Sequence, residues 1–584
     1  MSLDRKAPAR PPSRWVLTPA APEQASSLAT RLGLPELTAQ CLLNRGFKDA
    51  DAIDCFLNPR LSRLSDPFQL RDLETAALRI LAAKSRREKV LIFGDYDVDG
   101  ISSVAILHGL LCHFGIECSY YLPNREAEGY GLTEKAVSAA LARFPARLLI
   151  AVDCGSSATD LIEKLQSDGV EVMVLDHHPP PDPAPRPACF INPHHNTSEG
   201  SPFRELCSAG LVFKLAHGLV KAGRQAGCVE ASNCDVRQWL DLAALATVAD
   251  LVPLTGENRL LLTAGLNKLN DSPRPGMAAL IAAAGIKRKI GVYEIGFQLG
   301  PRLNAAGRLE SASQALRLLL STDAKESASL AAELDDQNRQ RQEIEREVLE
   351  QVLEKCRPSF DPAADWVIVE GHDSWHIGVV GIVAARVLRE FHRPSIILGG
   401  GPPWRGSGRS IPGFDLGAAL HDCHDLLVGH GGHAMAAGVT MEPAQIEAFR
   451  RRLNEVARSR LTPEDLRPVI RLDQETRLSE LSPRQVESLA ALGPFGQGHP
   501  QIQLMSRRVR LAREPLRMGA DQQHAKLWIT DGGEGVEAVC WNAAPESLPK
   551  MGAEFDLAFI PELNTFRGNT RLQLRVLDWR EPLS

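Results

Sequence analysis

A chain of 584 residues exceeds one hydrophobic core and predicts three or four domains. Its 44% apolar and 24% charged residues are those of an ordinary soluble globular protein, and no apolar run approaches the ~18 residues of a membrane span. The formal charge of −6 carries no basic surplus, so nucleic-acid binding would need cations or a locally basic groove.

The N-terminal MSLDRKAPARPPSR is basic and proline-rich without the apolar core of a signal peptide, and reads as a frayed tail. Twelve cysteines lie scattered with no C-x-x-C pair, the pattern of reduced thiols in a cytoplasm. Residues 1–87 form this tail and a helical lead-in, in which Pro35 opens one helix and Asn58-Pro59 stops another.

The chemistry begins at Lys89–Ser103, KVLIFGDYDVDGISS. Val90–Gly94 predicts a short buried strand, followed by three acids at alternate positions, Asp95, Asp97 and Asp99. Gly100 is expected to let the chain turn, and Ser102 or Ser103 to cap a helix from about Val104. Two more strands come next. Leu148–Val152 ends at Asp153-Cys154-Gly155, and Val170–Leu175 ends at Asp176-His177-His178 before three prolines. An apolar helix, Asp241–Val248, then delivers Asp250. Strands alternating with helices from Lys89 to about Ala284 predict a parallel α/β sheet, whose ligands bind beyond the carboxyl ends of the strands.

Singly, each of these features is an ordinary turn, loop or cap. Together they put acids at one rim, where their repulsion is tolerable with cations between them. Oxygen ligands with one or two imidazoles suit Mn²⁺ or Mg²⁺ better than zinc. The reaction such a set suits is two-metal phosphoester hydrolysis.

Further on, Pro301–Arg308 combines two guanidiniums with small residues, either a phosphate-binding segment or a solvated loop. Arg125, in PNRE, is read the same way. Ser321 to about Arg357 predicts a long charged connecting helix. In the next lobe RGSGRS (Arg405–Ser410) and Gly431-Gly432-His433 read as glycine-rich anion-binding loops, with His376 as either a contact or a packed histidine. From about Pro468 several short strands predict a small barrel. Arg507, Arg508, Arg510, Trp528, Trp541 and Phe566 are its candidates for single-strand contact.

The order DYDVDG, VDCG, DHH and ATVADLVPL resembles the DHH phosphoesterase superfamily. PNREAEGYGL, GPRLNAAGRL, WHIGVVGIVAARV, RGSGRS and GHGGHAMAAG are similar to segments of its RecJ family of single-strand-specific 5′→3′ exonucleases. The resemblance runs from about Trp15 to the C-terminus. It implies an α/β fold: a DHH parallel-sheet domain (88–320), a connecting helix (321–360), a DHHA1 α/β domain (361–461) and a C-terminal OB-fold barrel (462–584).

By the same resemblance Asp97, Asp99, Asp153, His177 and Asp250 hold two Mn²⁺ or Mg²⁺ ions, with Asp153 bridging. Asp95 is a ligand or a support, and Asp176 orients an imidazole. His178 faces the scissile phosphate, so His178 and Asp153 are the catalytic pair. Arg125, Arg302, Asn304, Arg308, Ser407, Arg409 and His433 are expected to hold substrate phosphates. LGPFGQGHP carries His499 where the family has asparagine. The implied function is release of 5′-mononucleotides from single-stranded DNA in cytoplasmic repair and recombination. Single-strand-binding protein and a RecQ-type helicase are the implied partners of a monomer. A short-oligonucleotide phosphodiesterase, a metal-free scaffold and a pyrophosphatase fit less well, given the barrel and the full ligand set.

Overall fold

The computed structural model describes residues 12–124, 128–129, 131–195, 198–309, 311–543, 547–566 and 568–582. Strand β1 (Arg14–Leu17) leads into helices α1 (Pro22–Leu32), α2 (Glu36–Asn44) and α3 (Ala50–Leu57), the last capped by Asp49. These helices pack on a distant part of the chain. Leu28, Leu42 and Phe56 share one core with Leu489 of a later helix and with Leu527 and Leu574 of the C-terminal barrel, while β1 pairs with a strand at Val469–Leu472. Helix α4 (Leu73–Arg86) belongs instead to the core of the first α/β domain.

That domain is a five-stranded, all-parallel sheet: β2 (Val90–Gly94), β3 (Cys118–Tyr121), β4 (Leu148–Val152), β5 (Glu171–Leu175) and β6 (Cys189–Ile191), in the order β3-β2-β4-β5-β6. Alternate residues serve opposite faces. Ile92, Ile150 and Met173 pack beneath α4, α5 (Val98–His113) and, further along, Ser208–Gln225. Phe93, Ala151 and Val174 pack on α6 (Glu134–Arg143) and α7 (Thr159–Ser167). The helix at Ser208–Gln225 is α8, followed by α9 (Val229–Asn233), α10 (Leu240–Ala249), α11 (Gly256–Asp271), α12 (Pro275–Ala283) and α13 (Val292–Glu294).

The helix after β2 starts earlier than expected, at Val98. Its cap is Asp97, whose Oδ1 accepts from the amides of Asp99 (2.9 Å) and Gly100 (3.1 Å). Gly100 is helical and supplies clearance rather than a turn: a Cβ there would lie 2.5 Å from the Asp95 carbonyl oxygen. The segment around Arg302, read as a phosphate-binding segment or a solvated loop, is helix α14 (Gly300–Leu309), entered through a π-helical turn at Ile295–Leu299. Helix α15 (Ser313–Leu320) precedes the long α16 (Ala324–Ser359), capped by Asp323.

The second lobe is a sheet ordered β10-β11-β9-β8-β7, from β7 (Ile368–His372), β8 (Ser395–Gly399), β9 (Trp404–Arg409), β10 (Gly429–Gly432) and β11 (Ala436–Met441). It packs against α17 (Val380–Phe391), α18 (Leu416–His421) and α19 (Ile446–Arg460). Both glycine-rich segments expected as loops lie in it as strands. Arg405–Arg409 runs antiparallel to Ala436–Thr440, with Gly406 opposite Val439, Gly408 opposite Ala437 and Gly438 opposite Ser407 in the backbone ladder.

After β12 (Val469–Leu472), β13 (Gln474–Glu475) and α20 (Pro483–Ala490) comes the barrel of β14 (Leu504–Met518), β15 (His524–Thr530), β16 (Val536–Cys540), β17 (Phe555–Phe566) and β18 (Asn569–Arg580). It closes through β14 on β17. Among the described residues no helix is long and apolar enough to cross a membrane.

Candidate metal centre

The order β2-β4-β5 brings three carboxyl-end turns side by side, and the end of α10 adds a fourth element. Asp95, Asp97 and Asp153 place ligand atoms within 4.8 Å of one another, as do Asp99, His177 and Asp250, and Asp153, His177 and His178. The structure therefore assembles all six expected ligands and His178 into one linked cluster. Asp153 is held at φ 60°, a left-handed backbone that aspartate tolerates.

Each acid is oriented by local geometry. Asp97 is fixed by its capping bonds. Asp99 is buried against the start of α8, its two oxygens accepting from the amides of Ser208 (2.7 Å) and Ala209 (2.8 Å). A helix N-terminus favours a carboxylate there by about 0.3–1 kcal/mol, and by up to ~2 when partly buried. The Ser208 hydroxyl donates to Asp153 Oδ1 at 2.9 Å. Ser208 escapes sequence reasoning: it marks a helix start, but nothing local says which acids that helix faces.

Burial, with the neighbouring acids adding to it, pushes Asp97 and Asp153 above the ordinary carboxyl range and brings Asp250 to about 9. Burial also raises Asp99, against the opposing pull of the α8 amides. Such a cluster holds protons or cations. His177 Nε2 lies 3.4 Å from Asp250 Oδ2, 3.8 Å from Asp153 Oδ1 and 4.0 Å from Asp99 Oδ2. Both His177 Nε2 and Asp250 Oδ2 are buried without a hydrogen-bond partner. Burial, and then the neighbouring His178, lower His177 to about 4, so its imidazole is neutral, the form that can ligate a metal. Unpaired buried acceptors beside a neutral imidazole fit hard divalent ions such as Mn²⁺ or Mg²⁺.

His178 behaves oppositely. Burial acts to lower it, but its Nδ1 donates to Asp176 Oδ1 at 2.7 Å, and this bond with the Asp176 charge carries it to about 9. Burial would likewise raise Asp176, yet the His178 contact and bonds from Ser156 hold its carboxyl below the ordinary range. Asn192 completes the support, donating to the His178 carbonyl (2.8 Å) and the Ser156 hydroxyl (2.9 Å).

The second lobe faces this rim. A cavity of about 210 Å³ is lined by Ala249, Gly300, Asn304, Arg308, Arg341 and Ile382 of α17. Asn304 Oδ1 accepts from the Val98 amide at 3.0 Å, clamping the acidic turn, and Arg308 Nη1 donates across the lobes to the Gly378 carbonyl at 3.2 Å. Arg302 bonds elsewhere, to Asp335 of α16 (2.8 Å) and to the Gln298 carbonyl (2.7 Å). Ser407 and Arg409 form a pair, Nη1 to Oγ at 2.7 Å, over Gly381 of α17, where a Cβ would come within 3.1 Å of both. His433 sits in the exposed turn between β10 and β11, its amide bonded to the Ala436 carbonyl, and Ala436 is the register partner of Arg409. His376 Nδ1 accepts from the Gly378 amide. Arg125 lies outside the described residues.

On the barrel, Arg507 and Arg510 pair with Glu475 (2.8 Å) and Glu554 (2.6 Å), and Arg508 approaches Glu554 at 4.0 Å. Trp528 is covered by the Arg513 guanidinium at 3.2 Å from its ring centre, and Trp541 is exposed. The Phe566 side chain lies outside the described residues. His499 is buried, with Nε2 2.9 Å from the Leu492 carbonyl and its ring against Phe56 and Phe495, so it is a packing residue.

Three family models match in this order: the DHH family N-terminal domain over residues 89–247, the DHHA1 domain over 364–459 and the RecJ OB domain over 472–578. The chain is 35% identical over 573 residues to the single-stranded-DNA-specific exonuclease RecJ of Bacillus subtilis, covering 97% of this chain and 70% of that one. It is 34% identical over 567 residues to RecJ of Salmonella typhimurium, covering 93% and 96%. The crystal structure of Thermus thermophilus RecJ with Mn²⁺ superposes with a TM-score of 0.83 at 29% identity, covering 98% of this chain and 80% of that one. Its Mg²⁺ complex gives 0.77 at 28%, covering 98% and 79%. With three domains matched in order and identity above 30% along almost its whole length, the chain belongs to the RecJ family.

Proposed function

We propose that this protein is a metal-dependent exonuclease that degrades single-stranded DNA from its 5′ end and releases 5′-mononucleotides. The observation that carries this reading is His177, a neutral imidazole with an unpartnered buried nitrogen among Asp99, Asp153 and Asp250. Asp97, Asp99, Asp153, His177 and Asp250 would hold two ions, with Asp153 central between the groups and Asp95 completing the first. Bound Mn²⁺ or Mg²⁺ supplies an activated water and withdraws charge from the phosphoryl oxygens.

The chain's own residues do the rest. His178, charged at neutral pH and braced by Asp176, meets the charge that builds on the scissile phosphate. Water adds at phosphorus as the P–O3′ bond breaks. The departing O3′ takes a proton, and the shortened strand keeps a 5′-phosphate for the next cycle. Ser407, Arg409 and His433 of the second lobe, with Arg125, are assigned to the terminal phosphate, and Asn304 and Arg308 to the cleft. Arg302 positions α14 through Asp335. The barrel takes the trailing single strand. A cytoplasmic monomer working with single-strand-binding protein and a RecQ-type helicase is the family's setting.

The test uses purified protein with Mn²⁺ or Mg²⁺ on single-stranded DNA, duplex and a trinucleotide, with Asp153→Asn alongside. Cleavage of the long single strand, lost in the variant and on chelation, supports the reading. Hydrolysis of the trinucleotide alone would make the protein a short-oligonucleotide phosphodiesterase.

A further inference from the structure

The last two turns of α5 and the first residue of β3 carry three side chains of metal-ligating type that the centre above does not use. His108 and Cys112 are four apart and share one face of α5. Cys118 opens β3, the edge strand of the parallel sheet, after a four-residue turn. Cys112 Sγ lies 3.9 Å from Cys118 Sγ, 3.7 Å from His108 Nε2 and 3.9 Å from His108 Nδ1. One ligand atom from each of the three lies within 4.8 Å of the other two.

These separations have a direct chemical reading. A tetrahedral zinc ion sits about 2.3 Å from thiolate sulfur and about 2.0–2.1 Å from imidazole nitrogen, which sets edges of about 3.8 Å for S···S and about 3.6 Å for S···N. The shortest observed separations, 3.9 Å and 3.7 Å, lie within about 0.1 Å of them; Cys112 Sγ stands nearly as close to Nδ1 (3.9 Å) as to Nε2, so the His108 ring turns on binding to aim one nitrogen at the shared ion. A disulfide, by contrast, needs its sulfurs at about 2.05 Å. The Tyr120 ring stands edge-on to His108, with centres 5.4 Å apart and planes at 82°. Cys112 is exposed, so a fourth position opens to solvent.

We propose that His108, Cys112 and Cys118 form a separate metal site, for zinc or another borderline-to-soft divalent cation. Its two thiolates select against the hard ions of the oxygen-rich rim. Binding converts two thiols to thiolates and releases their protons to solvent. The bound ion ties the end of α5 to β3 across the turn at residues 114–117. Helix α5 carries Asp97 and Asp99 at its other end, and β3 pairs along β2, which leads to Asp95. The clip therefore braces, from the far side of the sheet, two elements that present ligands at the rim.

Co²⁺ added to the reduced full-length protein is the probe, because only thiolate ligands give sulfur-to-cobalt charge-transfer absorption. The expected result is such a band in wild type and in Asp153→Asn, absent in Cys112→Ser and in Cys118→Ser, and weakened in His108→Gln. Wild type should also retain one more equivalent of zinc than Cys112→Ser after gel filtration. Cys112 is exposed, so its serine variant is expected to fold, and circular dichroism checks this. No band in wild type, or one that survives Cys112→Ser, overturns the site. So does a Cys112–Cys118 disulfide forming in air in a protein whose reduced form takes no cobalt, which would make the pair a redox couple.

Discussion

His178 and Asp176 form a 2.7 Å ion pair at the carboxyl end of β5, two residues apart, while the intervening His177 turns to Asp250 on another element. Adjacent imidazoles thus hold opposite protonation states, His178 charged and His177 neutral. Metal ligation needs the neutral form, and a charged imidazole makes the stronger contact with a phosphate.

Asp176→Asn should remove the charge that raises His178. In metal-free protein the His178 titration, followed by NMR, is expected to fall from about 9 towards the ordinary histidine value of about 6.5. A folded value above the unfolded one means that the stability contributed by His178 is full below about pH 6.5 and lost as pH rises through about 9. Asp176 is depressed, so its own contribution holds above its unfolded value and is lost as pH falls. An unmoved His178 titration would break the assignment.

The acids of the rim make a prediction with the opposite sense for mutation. Their folded pKa values are raised, so the stability they contribute when protonated is present below about pH 4 and lost as pH climbs, for Asp250 through about 9. Asp153→Asn should raise the melting temperature of metal-free protein at pH 8 while abolishing its response to Mn²⁺. Wild type should gain about 2.7 kcal/mol at a hundredfold excess of Mn²⁺ over Kd, and the gain should grow with pH. Differential scanning calorimetry with and without chelator reads all of this.

Gly381→Ala tests the second lobe. The added methyl meets the Arg409 guanidinium and the Ser407 hydroxyl at 3.1 Å and should part them. The expected effect is a KM raised about tenfold, equivalent to about 1.4 kcal/mol, for 5′-phosphorylated strands, with Mn²⁺ affinity unchanged. Equal KM changes for phosphorylated and unphosphorylated ends would remove these residues from the terminal phosphate.

Arg259 of α11 fastens the barrel and lead-in to the catalytic domain. It donates to the carbonyls of Phe56 (2.8 Å), Leu492 (2.9 Å) and Gly493 (2.6 Å), with its guanidinium 3.8 Å above the Phe56 ring. Arg259→Ala strands these carbonyls and should cost about 3 kcal/mol or more of stability. Limited proteolysis should then cut between the second lobe and the barrel.

The strands that end in Asp95, Asp153 and Asp176 are legible because a buried parallel strand is an apolar run closed by a turn. Family segments then point to the candidate ligands. Less legible are features set by partners distant in sequence. The lead-in helices bury Leu28 and Phe56 against barrel residues more than 400 positions away, which no local pattern announces. RGSGRS reads as a loop because strand pairing there is made by backbones, with Gly406 and Gly408 leaving side-chain periodicity blank. Arg302 reads as free for phosphate until Asp335 on α16 is placed beside it. The cap of α5 is hidden in the sequence because Asp97 stands among the other acids of the turn, which masks its role at the helix start.

The central claim concerns which end of which strand is attacked. A long single-stranded DNA carrying a label at either its 5′ or its 3′ end, incubated with protein and Mn²⁺, tests it most directly. The account predicts immediate release of the 5′ label as a mononucleotide, with the 3′ label staying on progressively shorter strands. Early release of the 3′ label as mononucleotide, or internal fragments from both substrates, would contradict it.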